Sequence, residues 1–521
     1  MPVDPYLQEV RANLPRVLAL VDRDPTSESH GMGDRYHWAW GLIDFGNGTF
    51  QGMAHGLARL WCHGLWPYAT PRNRFMERID SLYQGAAKLT RPDGSLEEAF
   101  PNEGSFCVTA LVAFDLLVAI DLLGDQIDPA KRKSWEKVIP PMIGYLMRAE
   151  ETHAIISNHL ATAVAALVRW HRMTGDARAE TRGRELLNRI LQYQSAEGWF
   201  REYHGADPGY QSLCTCYLAD VHHQRPDWQL LDPLRRSVRF LWHFAHPDGS
   251  FGGLYGSRCT RFYYPAGVLA LADEIPEAAA LAAFMARSIG NLRVVTLSSI
   301  DEPNLIPTFN AYCWAAALVG RPEQPHPDSS LPRLPALIPQ VFRKRFEEAG
   351  LLIDRGEEHY SIVALDKGGV VYHYASGEPP LIEAGVVVRN AKGHLGSTQG
   401  PGQVEMHEAD GTLTVAASIV PMPKQRPGVW QFLLLRLLCV TIFRFPKLRE
   451  RVKRILVRML VTGGAPWPLK NRRTIQLGKG LAIHDETELR PGYQVVEMVH
   501  DFVPIHMASQ GYWQLQDEGA E

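Results

Sequence analysis

The chain has 521 residues, 45% hydrophobic and 21% charged, with 54 Lys+Arg set against 57 Asp+Glu. That composition excludes wholesale disorder, a collagen-like repeat and a disulfide scaffold, and a net charge of −3 excludes a surface built throughout for nucleic acid. Seven scattered cysteines show no zinc-ligand spacing, and no GxGxxG, Walker A or HExxH run appears, so reduced thiols, no metal and no cofactor are expected.

The opening segment, MPVDPYLQEVRANLPRVLALVDRDP, carries acids and prolines where a signal peptide needs an unbroken apolar core. No stretch reaches the ~20 apolar residues of a membrane span, and a soluble, cytoplasmic protein is the expectation. From Asp34 to Trp40, DRYHWAW alternates polar and aromatic residues. Arg35 and His37 are candidates to contact acid groups of a substrate, while Trp38 and Trp40 suit either sugar stacking or core packing.

Three later segments look alike: DGSLEEAFPNEGSFCVTALVAF from Asp93, EGWFREYHGADPGYQSLCTCYL from Glu197 and DGSFGGLYGSRCTRFYYPAGVLAL from Asp248. Each opens with an acid–Gly turn, crosses a loop and enters an apolar helical stretch. Twelve residues past the turn glycines stand Phe106, Tyr210 and Arg261, separated by 104 and 51 positions. The implied missing member falls at Ser157-Asn158-His159, and further steps reach Ala54 and Tyr312. Helical patterns such as SWEKVIPPMIGYLMRAE and GRELLNRILQYQ lie between these entries, so each period holds two helices of ~12–20 residues. Such hairpins must stack to bury their apolar sides. Six of them closed on themselves make an α/α toroid over residues 1–340, with Asn158, His159, Tyr210 and Arg261 at one mouth; an open solenoid is the competing geometry.

A proline-rich linker follows, RPEQPHPDSSLPRLPALIP from Arg321. Beyond it, HYSIVALD, GGVVYHYA, AGVVVRNA, GTLTVAASIV, RRTIQLGKGLAIHD and GYQVVEMVHDFV are short, β-branched runs parted by Gly and Asp. They predict an antiparallel β-sandwich over 341–521. Residues 429–461 interrupt it with VWQFLLLRLLCVTIFRFPKLRERVKRILVRMLV, in which Glu450 is the single acid among eight basic residues and Pro446 divides two helices. A basic amphipathic pair of this kind suits an anionic membrane, here the inner face of the cell membrane; a hairpin packed on its own protein with arginines in water is the alternative.

An amide, an imidazole, a phenol and a guanidinium at equivalent points of consecutive repeats are equipment for β-elimination on a uronic acid. That reaction needs the carboxylate neutralised, a base for the C5 proton and an acid for the departing O4. The local alternatives are plain: Asn158 as a helix N-cap, Tyr210 as core packing, Arg261 in a structural salt bridge.

The Asn158-His159 pair, the Glu197-Gly198 turn and Pro208-Gly209-Tyr210-Gln211 resemble the heparinase II/III and alginate lyase group of polysaccharide lyases. The resemblance implies an α/α toroid with a C-terminal β-sandwich, catalytic roles for Asn158, His159 and Tyr210, and a histidine offered by the sandwich. His394 in RNAKGHLGS is the favoured candidate over His373 and His407. Arg261, Tyr264, Arg35, His37 and Glu202 complete the expected substrate contacts. An acidic polysaccharide or lipid-linked glycan is the expected partner, with no nucleic acid. A uronyl C5-epimerase would share the first proton abstraction. A toroid glycoside hydrolase would instead need two carboxylates, for which Glu103, Glu202, Asp207 and Glu302 are available, and a glycan-binding scaffold would need no chemistry.

Overall fold

A computed structural model of the chain describes residues 4–151, 154–319, 331–400, 404–409, 411–423, 428–460, 465–497, 499–504 and 511–513. The helices of the first part are α1 (Pro5–Ala19), the single turn α2 (Arg35–Trp38), α3 (Met53–Cys62), α4 (Arg72–Leu89), α5 (Phe106–Leu123), α6 (Pro129–Glu136) and α7 (Ile139–Arg148). They continue as α8 (Ser157–Thr174), α9 (Ala177–Gln192), α10 (Pro208–Gln224), α11 (Leu231–Leu241), α12 (Pro265–Ala270), α13 (Pro276–Gly290) and α14 (Glu302–Val319). Helices α3, α5, α8, α10, α12 and α14 form an inner ring in which each packs on the next and α14 closes back on α3. The others lie outside it: α4 against α3, α7 and α9 against α8, α11 against α10, α13 against α12, and α1 against α13 and α14. The ring is therefore a closed α/α toroid, not an open solenoid.

Two sequence expectations change in detail. SWEKVIPPMIGYLMRAE holds parts of two helices, because the prolines at 140 and 141 lack the N–H groups that continuing α6 would require and are tolerated only in the first turn of α7. The stretch Phe106–Gln126 is in fact long and apolar enough to cross a membrane, with mean hydropathy 2.3, but 83% of that window is buried. An inner-ring helix is covered on all sides, so it reads as apolar all round.

The repeated acid–Gly turn has a steric cause. Gly94, Gly198 and Gly249 all have left-handed backbone, with φ of +86°, +103° and +95°. A Cβ at Gly198 would sit 2.2 Å from the Arg236 carbonyl oxygen of the next outer helix. The spacing holds through α3, α5, α8 and α10 and then drifts, since α12 starts at Pro265 and α14 at Glu302. Tyr312 consequently lies buried in the middle of α14, not at a helix entry.

Helices end at Val319 and strands begin at Phe342; of the proline-rich linker, residues 321–330 lie outside the described residues. The strands are β1 (Phe342–Phe346), β2 (Leu351–Arg355), β3 (His359–Ala364), β4 (Val370–Ala375), β5 (Leu381–Glu383), β6 (Val387–Asn390) and β7 (Leu395–Ser397). Next come β8 (Val404–Ala409), β9 (Thr412–Ser418), β10 (Val420–Pro421), β11 (Lys470–Gln476), β12 (Ala482–Thr487) and β13 (Tyr493–Val495). They form antiparallel sheets in the orders β1-β2-β3-β4-β5, β10-β7-β6-β13 and β12-β11-β9-β8. Register sets the two faces of the first sheet: Ile353, Ile362 and Tyr372 are cross-strand neighbours and pack on Phe240, Phe244 and Leu254 of the toroid. Leu352, Val363 and Val371 point the other way, onto Leu413, Val415 and Ile475 of β9 and β11. Tyr360 Oη donates to the His243 carbonyl at 2.6 Å, and the Leu254 N–H donates to Tyr372 Oη at 3.0 Å, pinning the sandwich to the toroid. The insertion forms α15 (Val429–Val440), a 3-10 turn at Ile442–Arg444 and α16 (Pro446–Leu460), with Pro446 opening the second helix as expected.

Candidate functional site

The starts of α8 and α10 lie side by side because a strip of backbone ties them. Ile156 bridges Glu202, and Ser157 donates to the Arg201 carbonyl from both its N–H (3.0 Å) and its hydroxyl (2.7 Å). Asn158 is thereby inside the first turn of α8 and is not its cap; its amide donates to Glu202 Oε2 at 2.8 Å. Asn158 and Glu202 are both buried. His159, the next residue, remains partly exposed, and its Nδ1 lies 2.9 Å from Glu151 Oε1.

Asp207 caps α10, accepting from the Tyr210 N–H at 3.1 Å. Thr260 Oγ1 donates to the same oxygen, and the second oxygen accepts from the Arg258 N–H at 2.9 Å. One buried carboxylate thus clamps the loop 256–260 to the start of α10. That clamp sets the Arg258 guanidinium 4.1 Å from the Tyr203 ring centre and 5.7 Å from that of Tyr210. Tyr210 also meets Phe262 edge to face at 5.3 Å. Tyr203 is held in the left-handed region at φ +57°, a strained backbone of the kind that persists where surrounding structure enforces it.

The charges follow from burial and neighbours. Burial pushes the Glu202 carboxyl up to about 7, against the opposing pull of Arg258, His159 and the Asn158 hydrogen bond. Burial would discharge His159, yet Cys107 and Glu151 beside it hold the imidazole well above its ordinary value. Burial raises the Cys107 thiol, which leaves Glu151 as the anion that keeps His159 cationic. Burial also works against Arg258, but Tyr203, Tyr210 and Glu202 keep its pKa raised. With the positive ends of α8 and α10, the cluster presents two cations and two helix N-termini to an approaching anion.

Asn158 and His159 thus open α8 and Tyr210 opens α10, with Glu202, which the repeat spacing did not include, bonded to Asn158, whose amide is spent there instead of facing solvent. Arg261 is not part of the cluster's guanidinium contact: its Nη2 donates to Asp501 at 3.1 Å, and Tyr372 is the largest cause of its raised pKa. The guanidinium beside Tyr210 is Arg258, three residues earlier. Tyr264 is buried before α12, its N–H donating to Ser212 Oγ at 3.0 Å and its ring against Phe262. Arg35 stacks on Trp38 at 5.0 Å, and His37 Nδ1 lies 2.9 Å from the Ile43 carbonyl, so both are spent locally.

Among the described residues, none of the three candidate sandwich histidines bonds to a residue of the cluster. His394 is exposed at the β6–β7 hairpin, bound to Asn390 by backbone bonds. His373 is buried against Ser361, and His407 is exposed on β8. A Gly-flanked turn presents a histidine to solvent as readily as to a cleft, which is why His394 misled. Two toroid histidines stand at the domain interface: His243 meets Phe346 edge to face at 5.2 Å, and His246 lies 2.8 Å from Tyr255 Oη and stacks on Tyr374, burial pushing it down to about 3.

Of the four carboxylates a hydrolase could have used, Asp207 is consumed as a clamp, Glu103 pairs with Lys453 at 3.7 Å, and Glu302 accepts from Tyr36 Oη at 2.7 Å. Glu151, Cys107, Tyr203 and Arg258 were missed by sequence reasoning. For Arg258 the signal was present, a second arginine in the GSRCTR loop. Among the described residues no group of three His, Cys, Asp or Glu could hold a metal.

Fold and cluster together define an α/α-toroid protein with a β-sandwich packed on it and acid–base groups at the starts of two inner helices. Residues 67–267, which contain Glu151, Asn158, His159, Glu202, Tyr210 and Arg258, match the family model described as the ulvan lyase N-terminal domain. Over that stretch the chain is similar to polysaccharide lyases. Among solved structures it is similar to a chondroitin AC lyase of Streptomyces coelicolor A3, at 12% identity and TM-score 0.47, covering 81% of this chain and 67% of that one. A Paenibacillus xanthan lyase aligns at 11% identity and TM-score 0.48, covering 80% of this chain and 45% of the other. A sugar epimerase from a ruminal bacterium aligns at 11% identity and TM-score 0.41, over 60% of this chain and 99% of its own. No curated protein matches the chain.

Proposed function

We propose that the protein cleaves a uronate-containing polysaccharide by β-elimination. His159, kept charged by Glu151, receives the uronosyl carboxylate and makes the C5 proton acidic. Tyr210, whose phenolate Arg258 favours, takes that proton; the C5–H electrons form the C4=C5 double bond, the C4–O4 bond breaks, and the phenol returns its proton to O4. Asn158 acts from behind, holding Glu202, and Glu202 in turn steadies the Arg258 side. The observation that carries this reading is the Arg258 guanidinium set against Tyr210 and Tyr203 beside a carboxylate-paired His159, all within the matched segment.

The test is a screen of uronate polysaccharides for the ultraviolet absorbance of a 4,5-unsaturated product. Tyr210→Phe should abolish turnover and leave polysaccharide binding within about threefold, since only the phenol's proton transfer is lost. New reducing ends without that absorbance would refute elimination and favour hydrolysis.

One observation favours a second outcome on the same site. Two tyrosines flank one guanidinium, which suits removal of the C5 proton by one and its return from the opposite face by the other, a C5 epimerisation. Deuterium entering C5 without chain cleavage in heavy water would select it.

A further inference from the structure

The helical insertion sits on the toroid in an inverted manner. Three of its cations are drawn to the toroid: buried Arg449 donates to the Asn102 carbonyl at 3.2 Å, Lys453 pairs with Glu103, and Arg436 pairs with Asp44 at 3.0 Å. Cys439 and Phe443 are buried beneath it, Phe443 against Phe100 at 5.3 Å, and Asn102 Nδ2 donates to the Cys439 carbonyl at 2.9 Å. Most of the other apolar side chains face outward. Trp430 is 81% exposed, and Phe432, Leu433, Leu434, Leu437 and Val440 on α15 are each at least half exposed. Phe445, Leu448 and Ile455 continue the exposed surface along the second helix.

A second, separate segment joins this face. The Arg436–Asp44 pair places the loop after α2 beside α15, and in that loop Trp40 and Leu42 are 89% and 90% exposed. Both have left-handed backbone, at φ +64° and +59°, which is strained for large side chains. A soluble surface does not hold this much apolar area outward without a use.

We propose that this face docks the protein onto an anionic lipid surface, with α15 lying in the plane of the interface. Charge decides for lipid over a second copy: Arg444, Lys447, Arg451 and Arg454 are exposed among the apolar residues, with Glu450 as the acid of that helix, so two copies would meet with like charges opposed. Twelve residues of helix are too short to span a bilayer, which needs ~20, but suit one that lies flat. Tryptophans at positions 40 and 430 supply the interfacial anchors. The insertion rests on the loop 100–104 that leads into α5, the inner-ring neighbour of α8, whose first turn holds His159. Lipid docking would therefore bring the site's mouth near the membrane surface.

The experiment is co-sedimentation of the full chain with vesicles of phosphatidylcholine, with and without phosphatidylglycerol, at low and high salt. The wild type should bind the anionic vesicles, and binding should weaken with salt. Trp430→Ser with Leu434→Ser should bind at least about tenfold more weakly, from the lost apolar burial. Trp40→Ser, in a different element, should weaken binding independently. Arg444→Ser with Lys447→Ser should cost roughly fivefold per charge on anionic vesicles alone. Failure of the wild type to bind either vesicle, or unchanged binding by both tryptophan variants, overturns the proposal. So does a wild-type dimer, by light scattering, that Trp430→Ser with Leu434→Ser converts to monomer without changing lipid affinity. None of these residues belongs to the catalytic cluster, so activity on soluble polysaccharide should be unchanged in every variant.

Discussion

Glu202→Gln isolates the cost of burying a carboxylate beneath the site. Glu202 is 3% exposed, and its folded pKa is about 7 against an ordinary 4.5. Because the folded value is the higher one, the native state binds the proton more tightly. The stability this confers is fully present below about pH 4.5 and is lost as pH rises through about 7. Moving from 4.5 to about 7, at ~1.36 kcal/mol for each factor of ten in acidity, makes the ionised side chain roughly 3 kcal/mol less favourable in the folded state than the neutral one. Glutamine keeps an oxygen for the Asn158 amide and cannot ionise. Urea unfolding of wild type and variant across about pH 5 to pH 8 should therefore diverge, the variant gaining on the wild type by roughly 3 kcal/mol toward the alkaline end. Parallel stability curves, or a wild type that gains on the variant as pH rises, would refute the account of Glu202.

Glu151→Gln removes the anion that keeps His159 charged, so the alkaline limb of the kcat/KM profile should move to lower pH; an unmoved limb would take His159 out of the titrating step. Arg258→Ala should lower kcat by roughly 100- to 1,000-fold through loss of charge beside the phenol, with Arg258→Lys recovering part of it. Arg261→Ala should lower the thermal midpoint, by about 1 kcal/mol in stability because Asp501 is half exposed, and leave kcat within about tenfold. Equal losses for the two arginine variants would mean that both serve the site.

The toroid was legible because its period has a steric origin that recurs. A residue with a Cβ cannot occupy the left-handed turn at Gly198 without meeting the Arg236 carbonyl, and the same turn returns at Gly94 and Gly249, so acid–Gly pairs mark hairpin after hairpin. Strands β3, β4, β6, β9, β11 and β12 were legible because both or alternate faces are apolar. β1 was not, since its FRKRF sequence lies at a sheet edge with four of five side chains at least partly exposed. Phe106–Gln126 shows the limit of composition alone: the same run suits a membrane or the middle of a ring, and only packing distinguishes them.

The site was legible to the extent that a backbone position determines a side chain's place. Asn158, His159 and Tyr210 stand in the first turns of their helices, so counting residues sufficed to bring them together. Arg258 and Arg261 stand in a loop whose course is set by Asp207, a clamp made through space between residues about fifty apart, and there counting selected the wrong arginine by three positions. The same reasoning explains the insertion. Periodicity showed one apolar and one basic side, but which side meets the protein depends on Asp44, Glu103 and the Asn102 carbonyl, acceptors contributed by distant loops. Those acceptors draw three cations inward, and the apolar face is left outward as a consequence.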